Sequence, residues 1–303
     1  MNKGVLYAIG AYVSWGLLPI FWKALHDVPA LEILANRVVW AMVAALIVGF
    51  FAFRTNWGWL FQALRQPRTM LVFVLSASLL SFNWGLYIWA VNADHVVETS
   101  LGYFINPLVN VFLGVVVLRE RLRIGQGLGI ALALAGVLYL TLTYGSLPWI
   151  ALSLAGSFGL YGLLRKTAPL ASIQGFTLET LVMALPALVF LGFVERSTGG
   201  TLGHADLFTT TLLISSGVVT AVPLLLFAAG ARLVTLTTLG LLQYIAPTLQ
   251  FLLGVFVYGE YLSTQRLFGF VLVWIALAIY SIEGIITSRR RQTMTPAQHT
   301  SSV

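Results

Sequence analysis

Two basic residues, Lys23 and Arg37, lie within apolar runs that are long enough to cross a membrane. An ionised side chain in hydrocarbon is costly, so it marks either a transport pathway or a paired structural site. Lys23 closes the first run and Arg37 opens the second, so both could bind a carboxylate or phosphate near one membrane face, arginine through two hydrogen bonds. The structural alternative is that Lys23 extends toward the headgroups and Arg37 pairs with Glu32 or Asp27.

Two acidic residues, Glu179 and Glu283, also fall within apolar runs. Glu179 lies roughly 9 Å inside its run at 1.5 Å per residue, which makes it the candidate for proton coupling. A structural hydrogen bond to a neighbouring helix would explain Glu179 equally well. Glu283 lies near the end of the last run, where its side chain can reach the headgroups, and we interpret it as structural.

Neutral polar residues recur at helical spacing. Tyr103, Pro107 and Asn110 share one helix face. A proline also leaves the carbonyl four residues before it without its usual helical donor. The pattern predicts a polar cavity or, alternatively, polar contacts that join helices. The candidate substrate-binding residues of this cavity are Asn83, Tyr87, Tyr103, Asn110, Gln243 and Gln250, and the candidate aromatic walls are Trp15, Trp40, Trp84 and Trp89.

The elements that position these residues must be membrane-spanning helices. The chain of 303 residues is 59% hydrophobic and 9% charged, with a mean hydropathy of +0.91, which excludes an ordinary water-soluble domain. A helix needs about 20 apolar residues to cross a bilayer. The sequence therefore predicts an all-α integral membrane protein with ten spans, at 4–24, 33–53, 70–91, 99–118, 124–143, 147–164, 173–194, 208–230, 236–258 and 267–287.

The basic residues predict how these spans are oriented. With the N-terminus inside, 13 of the 17 lysines and arginines fall in inside segments and two in outside loops. Because basic loops stay in the cytoplasm, both termini are predicted to be cytoplasmic. The formal charge of +7 arises largely from these loops, so we infer no nucleic-acid partner.

An internal repeat divides the chain. The pattern around Pro107, Gly114 and Glu120 returns 140 positions later around Pro247, Gly254 and Glu260. Since five spans per repeat is an odd number, the second repeat must enter the membrane in the opposite orientation, as in many alternating-access transporters. We predict a first repeat at 1–143, a second repeat at 144–287 and a basic, disordered cytoplasmic tail at 288–303.

Five motifs stand out along the chain: SLGYFINPLVN at 100–110, TLGLLQYIAPT at 238–248, EILANRVVW at 32–40, YIWAVN at 87–92 and GSLP at 145–148. They resemble motifs of the drug/metabolite transporter superfamily, within it the EamA family, and most closely the bacterial RarD proteins. The resemblance covers about residues 4–290 and implies the drug/metabolite transporter fold, a location in the bacterial inner membrane and, usually, export of metabolites, amino acids or drugs. It implies no set of catalytic residues.

The sequence favours a secondary carrier for a small-molecule solute, embedded in the lipid bilayer. It has no cysteine and four histidines, all outside the predicted spans, so we predict no metal, no cofactor and no enzymatic activity. A channel would be expected to show charged rings or a filter-like loop, which do not occur. A membrane sensor or assembly protein without transport activity remains an alternative, and the sequence assigns no oligomeric state.

Overall fold

The computed structural model of the chain describes residues 2–53, 56–93, 95–144 and 147–259, together with nine positions between 267 and 282. The described part contains helices and no strand, which confirms the all-α prediction. Its helices are α1 (Lys3–Lys23), α2 (Ala30–Phe53), α3 (Gly58–Arg65), α4 (Pro67–Asn92), α5 (Val96–Val116), α6 (Ile124–Tyr144), α7 (Trp149–Thr167), α8 (Ser172–Thr198), α9 (Leu207–Leu233), α10 (Leu236–Gln243) and α11 (Ile245–Leu252), and α11 continues as a π-helical turn at Leu253–Val257.

Side-chain caps and a left-handed glycine set several helix ends. Asn2 accepts a hydrogen bond from the Gly4 N–H at the start of α1, and Asp206 accepts one from the Thr209 N–H, 2.7 Å away, at the start of α9. The bond from Thr209 also lowers the pKa of the Asp206 carboxyl. Helix α8 ends at Gly199, whose φ of 85° suits a residue without a side chain.

Several of these helices can cross a membrane. Six segments of the described chain are long and apolar enough, and two further apolar helices are shorter, at Leu101–Val116 and Ile124–Tyr139. The count of ten spans stays a prediction, because most of 267–287, the tail 288–303 and Glu283 lie outside the described residues. The six long segments are Lys3–Lys23, Ala30–Phe53, Pro67–Ala90, Ser172–Thr198, Leu207–Leu233 and Leu236–Val257.

Local structure differs from the sequence prediction in two places. Helix α3 forms within a segment that we expected to be a simple connection, and it exposes Phe61 and Leu64 while burying Ala63. The predicted span 236–258 is interrupted at Tyr244, between α10 and α11. Pro247 permits this break, because it has no N–H to donate to the carbonyl four residues earlier.

Contacts divide the chain into two units. The larger unit comprises Met1–Glu120 and Leu147–Tyr261, and the smaller comprises Arg121–Ser146 and Leu262–Val303, so each contains parts of both predicted repeats. In the larger unit, α1 packs on α9, α2 packs on α8 and α9, and α5 packs on α7 and α10. In the smaller unit, the rings of Tyr139 and Phe268 lie 5.0 Å apart.

Small residues and aromatic rings build the core of the larger unit. Gly217 of α9 lies so close to α2 that an added Cβ atom would be 2.2 Å from the backbone carbonyl carbon of Trp40. Elsewhere in this core, the rings of Tyr161 and Phe227 stack at 5.9 Å. Large apolar side chains also point away from the protein, such as Phe51 with 75% of its surface exposed, and in a membrane these would contact lipid.

Candidate functional site

The larger unit contains a partly open cavity of about 240 Å³. Residues of α1, α2, α4, α5, α7, α9, α10 and α11 line it, so both predicted repeats contribute. Its volume would hold about eight water molecules at roughly 30 Å³ each, which suits a small solute. Six of the predicted substrate-binding residues line this cavity: Arg37, Asn83, Tyr87, Tyr103, Gln243 and Gln250.

Arg37 is the cationic residue of the cavity lining. Its guanidinium carbon lies 3.7 Å from the centre of the Trp84 ring and 5.5 Å from that of Trp22. Neither predicted carboxylate partner pairs with Arg37, because Glu32 accepts a hydrogen bond from the Thr201 backbone and Asp27 contacts a neighbouring histidine. Within the described part of the chain, Arg37 forms no ion pair and its buried Nε atom has no hydrogen-bond partner.

Two tyrosines lie beside Arg37. The rings of Tyr87 and Tyr103 pack edge to face with their centres 6.2 Å apart. Both side chains line the same cavity as Arg37. The arrangement places two phenols and one guanidinium at one end of the cavity, and all three groups can donate hydrogen bonds.

The amide side chains of the lining also join helices. Asn83 donates from Nδ2 to the Leu154 carbonyl, 2.8 Å away, and to the Ser157 hydroxyl. Gln250 donates to the Trp15 carbonyl over 3.2 Å. Each amide therefore has both roles considered from the sequence, because it lines the cavity and also holds one helix against another.

Three predicted site residues lie outside the described lining. Lys23 is exposed, with its ammonium 3.5 Å from the centre of the Tyr258 ring. Asn110 is fully buried and donates from Nδ2 to Gln243 Oε1 over 2.8 Å, so it contacts the cavity only through Gln243. The third residue is Glu179.

Glu179 belongs to a buried polar cluster. Ser76 donates a short hydrogen bond to its Oε1 atom, and Arg165 Nη1 lies 3.5 Å from the same oxygen. The side chains of Glu179 and Arg165 are each 1% exposed. Arg165 also donates to the Ser172 carbonyl and packs on the Phe73 ring. The carboxylate thus has hydrogen-bond and ion-pair partners on two neighbouring helices.

Other lining residues were not predicted from the sequence. Tyr12, Asn106 and Thr220 line the cavity, and each has a buried oxygen without a hydrogen-bond partner among the described residues. The spacing of Tyr12, Trp15, Pro19 and Trp22 would have placed them on one helix face. Of the predicted aromatic walls, Trp15 and Trp84 line the cavity, whereas Trp40 and Trp89 are absent from its described lining.

Charged side chains cap α9 and α10 at the end of the larger unit that lies away from Arg37. The Glu120 carboxylate accepts hydrogen bonds from the Leu236 N–H at 2.7 Å and the Thr237 N–H at 2.9 Å, at the start of α10. Lys166 donates to the Ala231 and Val234 carbonyls at the end of α9. An acid at a helix start and a base at a helix end both match the helix dipole.

The described residues contain no cluster of three histidine, cysteine, aspartate or glutamate side chains that could hold a metal ion.

The chain aligns over almost its whole length with bacterial RarD proteins and with an uncharacterized transporter. It is 47% identical to Protein RarD of Streptomyces exfoliatus, covering 95% of this chain and 91% of the relative. It is 43% identical to Protein RarD of Escherichia coli (strain K12), covering 95% and 97%. It is 44% identical to the uncharacterized transporter YojE of Bacillus subtilis (strain 168), covering 94% and 95%.

Residues 2–142 match the EamA-like transporter family. A solved crystal structure of a protein with 19% sequence identity has the same fold, with a TM-score of 0.70 over 96% of this chain and 99% of that chain. These matches define a multi-pass bacterial membrane transporter. The chain belongs to the EamA family and within it resembles the RarD proteins, which confirms the resemblance found in the sequence.

Proposed function

We propose that this protein is a secondary-active transporter that exports a small solute across the bacterial inner membrane by alternating access. The observation that carries the proposal is a polar and aromatic cavity lined by helices from both predicted repeats. In transporters built from inverted repeats, the substrate binds between the repeats near the middle of the membrane. We propose the same for this cavity.

Local geometry supports the repeat. Arg119 and Gly259 lie 140 positions apart, and both have a left-handed backbone, with φ of 55° and 66°. The turns before them also correspond, since Leu118 N donates to Leu113 O, and Tyr258 N donates to Leu253 O. A left-handed backbone is uncommon at a residue other than glycine, so its presence at Arg119, at the position that corresponds to Gly259, is more specific than a shared apolar pattern.

The predicted orientation assigns the two ends of the larger unit. Helix α1 ends and α2 begins on the outside, so Trp22 and Arg37 belong to the outer part of the cavity. The caps made by Glu120 and Lys166 belong to the cytoplasmic end. The structure is then consistent with a state in which the cytoplasmic end is closed and a solute would exchange with the outside.

Two charged groups have proposed roles in this cycle. Arg37 would orient an anionic group of the solute, and Lys23, which is exposed nearby on α1, would attract anions to that end. Glu179 would couple proton entry to solute exit. Its ion pair with Arg165 supplies a partner whose contact could change with the charge of the carboxyl group.

The first experiment compares extracellular metabolites of cells that lack the protein with those of cells that overproduce it. Cells with equal amounts of the Arg37→Ala protein are the control for expression. We expect a solute that accumulates outside only with the intact protein. Reconstituted protein should then give saturable exchange that is faster when unlabelled solute is present on the other side. Exchange without such acceleration would indicate a channel, and no transport in either assay would favour a sensor or assembly role.

A further inference from the structure

The charge of the cavity lining restricts the solute further, and this step rests on the proposed function. Among the described lining residues, Arg37 is the one charged side chain, and none is an aspartate or glutamate. The other polar groups are neutral amides and hydroxyls, contributed by Asn83, Asn106 and Thr220 among others. The lining therefore carries a single positive charge.

Arg37 is also available to bind an anionic group of a solute. Its guanidinium is held against the Trp84 ring rather than by a carboxylate of the chain. A buried charge is stabilised when it is paired and hydrogen-bonded. The Nε atom has no partner among the described residues, and Tyr87 and Tyr103 line the same cavity. A carboxylate at this point would receive hydrogen bonds from the guanidinium and from the phenols.

Part of the lining is aromatic and apolar. Trp15 and Phe158 both line the cavity, with their rings edge to face and 5.6 Å apart. Leu154 and Leu224 extend the apolar surface. Aromatic rings favour edge-to-face or offset contacts with other rings, so this part of the cavity suits a planar ring.

We infer that the solute is a small organic monoanion with an aromatic ring, whose carboxylate binds at Arg37, Tyr87 and Tyr103 and whose ring contacts Trp15 and Phe158. The same lining disfavours an organic cation, because an ammonium group would be repelled by Arg37 and would find no carboxylate. An amino acid is disfavoured relative to the matching acid without the amino group for the same reason.

The test uses four probes with one carbon skeleton: 3-phenylpropanoate, 3-phenylpropanamide, 3-phenylpropylammonium and L-phenylalanine. Binding to the purified protein is measured by calorimetric titration. We expect 3-phenylpropanoate to bind at least tenfold more tightly than each of the other three. Arg37→Gln should reduce this preference over the amide to less than threefold. Arg196→Gln, which removes an exposed arginine outside the described lining, should leave the preference unchanged.

Several results would overturn the inference. These are equal binding of the acid and the amide, tightest binding of the ammonium or of phenylalanine, and an unchanged preference in a folded Arg37→Gln protein. If that variant unfolds, Tyr103→Phe and Tyr87→Phe must each weaken 3-phenylpropanoate more than 3-phenylpropanamide. The test distinguishes failure of this inference from failure of the proposed function. Exchange of a cation or zwitterion in liposomes would support transport and refute this substrate class. Binding of 3-phenylpropanoate without exchange would support this substrate class and refute transport.

Discussion

Tyr244 donates a hydrogen bond from its phenol oxygen to the backbone carbonyl of Phe104 over 3.1 Å, and the two residues lie 140 positions apart. This separation equals the offset of the sequence repeat, so each residue contacts the residue at the equivalent position of the other predicted repeat. In a pair related by a twofold axis, such contacts occur near the axis. If the two predicted repeats are related by a twofold axis, this contact predicts that the axis passes between α5 and the α10–α11 break, beside the cavity-lining residues Asn106 and Gln243.

Tyr244→Phe tests this contact. The variant keeps the buried ring and removes one hydrogen bond, so we expect a loss of about 1 kcal/mol in stability. The measurement is thermal unfolding of the purified protein in one detergent. Tyr7→Phe is the matched control, because Tyr7 is an exposed tyrosine. Equal unfolding temperatures for Tyr244→Phe and the parent protein would show that the phenol contributes nothing.

Asn110→Leu should weaken transport because it removes a hydrogen bond to the cavity-lining residue Gln243. The change removes the donor of the 2.8 Å bond and leaves the Gln243 side-chain oxygen without that partner. We expect a stability loss of about 1–3 kcal/mol and a lower rate of solute exchange, while the protein still folds. Liposome exchange and thermal unfolding check this prediction. If Gln243→Ala and the double variant slow exchange as much as Asn110→Leu alone, the two residues act as one unit; additive losses would contradict that.

Helical periodicity predicted much of this site, and long-range contacts explain what it missed. Spacing along α5 placed Tyr103 and Asn110 on one face, yet only Tyr103 lines the described cavity. The pairing of Arg37 with Glu32 was a reasonable local alternative. It is wrong, because Glu32 contacts the backbone of Thr201, 169 positions away, and no local pattern records that contact.

The two prolines show the same limit. Pro107 and Pro247 occupy equivalent repeat positions. Helix α5 continues through Pro107, whereas the helix that contains Pro247 is interrupted just before it, between α10 and α11. A motif that weakens one helical hydrogen bond permits a break without requiring it. Tertiary packing decides between the two outcomes, and here Tyr244 at the break forms its bond to the facing helix.

Gly217→Ala should destabilise the packing of α2 on α9. An added Cβ atom would be 2.2 Å from a backbone carbon of Trp40, and the backbone cannot move aside as a flexible side chain could. Overpacking of this kind costs about 1–3 kcal/mol. Gly192→Ala in α8 is the control, because a Cβ atom there meets nothing within 4 Å. We expect a lower unfolding temperature for Gly217→Ala only, and an unchanged temperature would argue against so close an approach.

Glu120→Ala should open more often the end of the larger unit that Glu120 and Lys166 cap, which is the proposed cytoplasmic end. The variant removes the carboxylate that accepts from Leu236 and Thr237, and hydrogen bonds to a charged group contribute about 1.5–3 kcal/mol. Because the chain has no cysteine, Val111→Cys can report opening. Val111 is buried where α5 meets α10, so maleimide labelling at this position should become faster.

Gly114→Ala should have the same effect without changing the carboxylate. A Cβ atom at Gly114 would be 2.6 Å from Glu120 Oε2, which would displace the cap from α10. Glu195→Ala removes an exposed acid elsewhere and should leave labelling unchanged. If Val111→Cys reacts equally in all backgrounds, Glu120 does not hold this end closed.

Glu179→Gln should remove the response of transport to a pH gradient while solute exchange persists. Glutamine can still accept the hydrogen bond from Ser76, but it cannot carry a proton. The measurement is net efflux from liposomes with and without an imposed gradient, beside exchange at equal pH. Ser76→Ala, which keeps the acid, should retain the response.

The ion pair complicates this variant in a measurable way. Glu179→Gln leaves Arg165 charged and buried without its carboxylate, which costs about 3–5 kcal/mol in stability. Arg165→Gln combined with Glu179→Gln removes both charges and should recover part of that loss. If either folded variant still responds to the gradient like the parent protein, Glu179 is a structural residue, and the coupling proton is carried elsewhere.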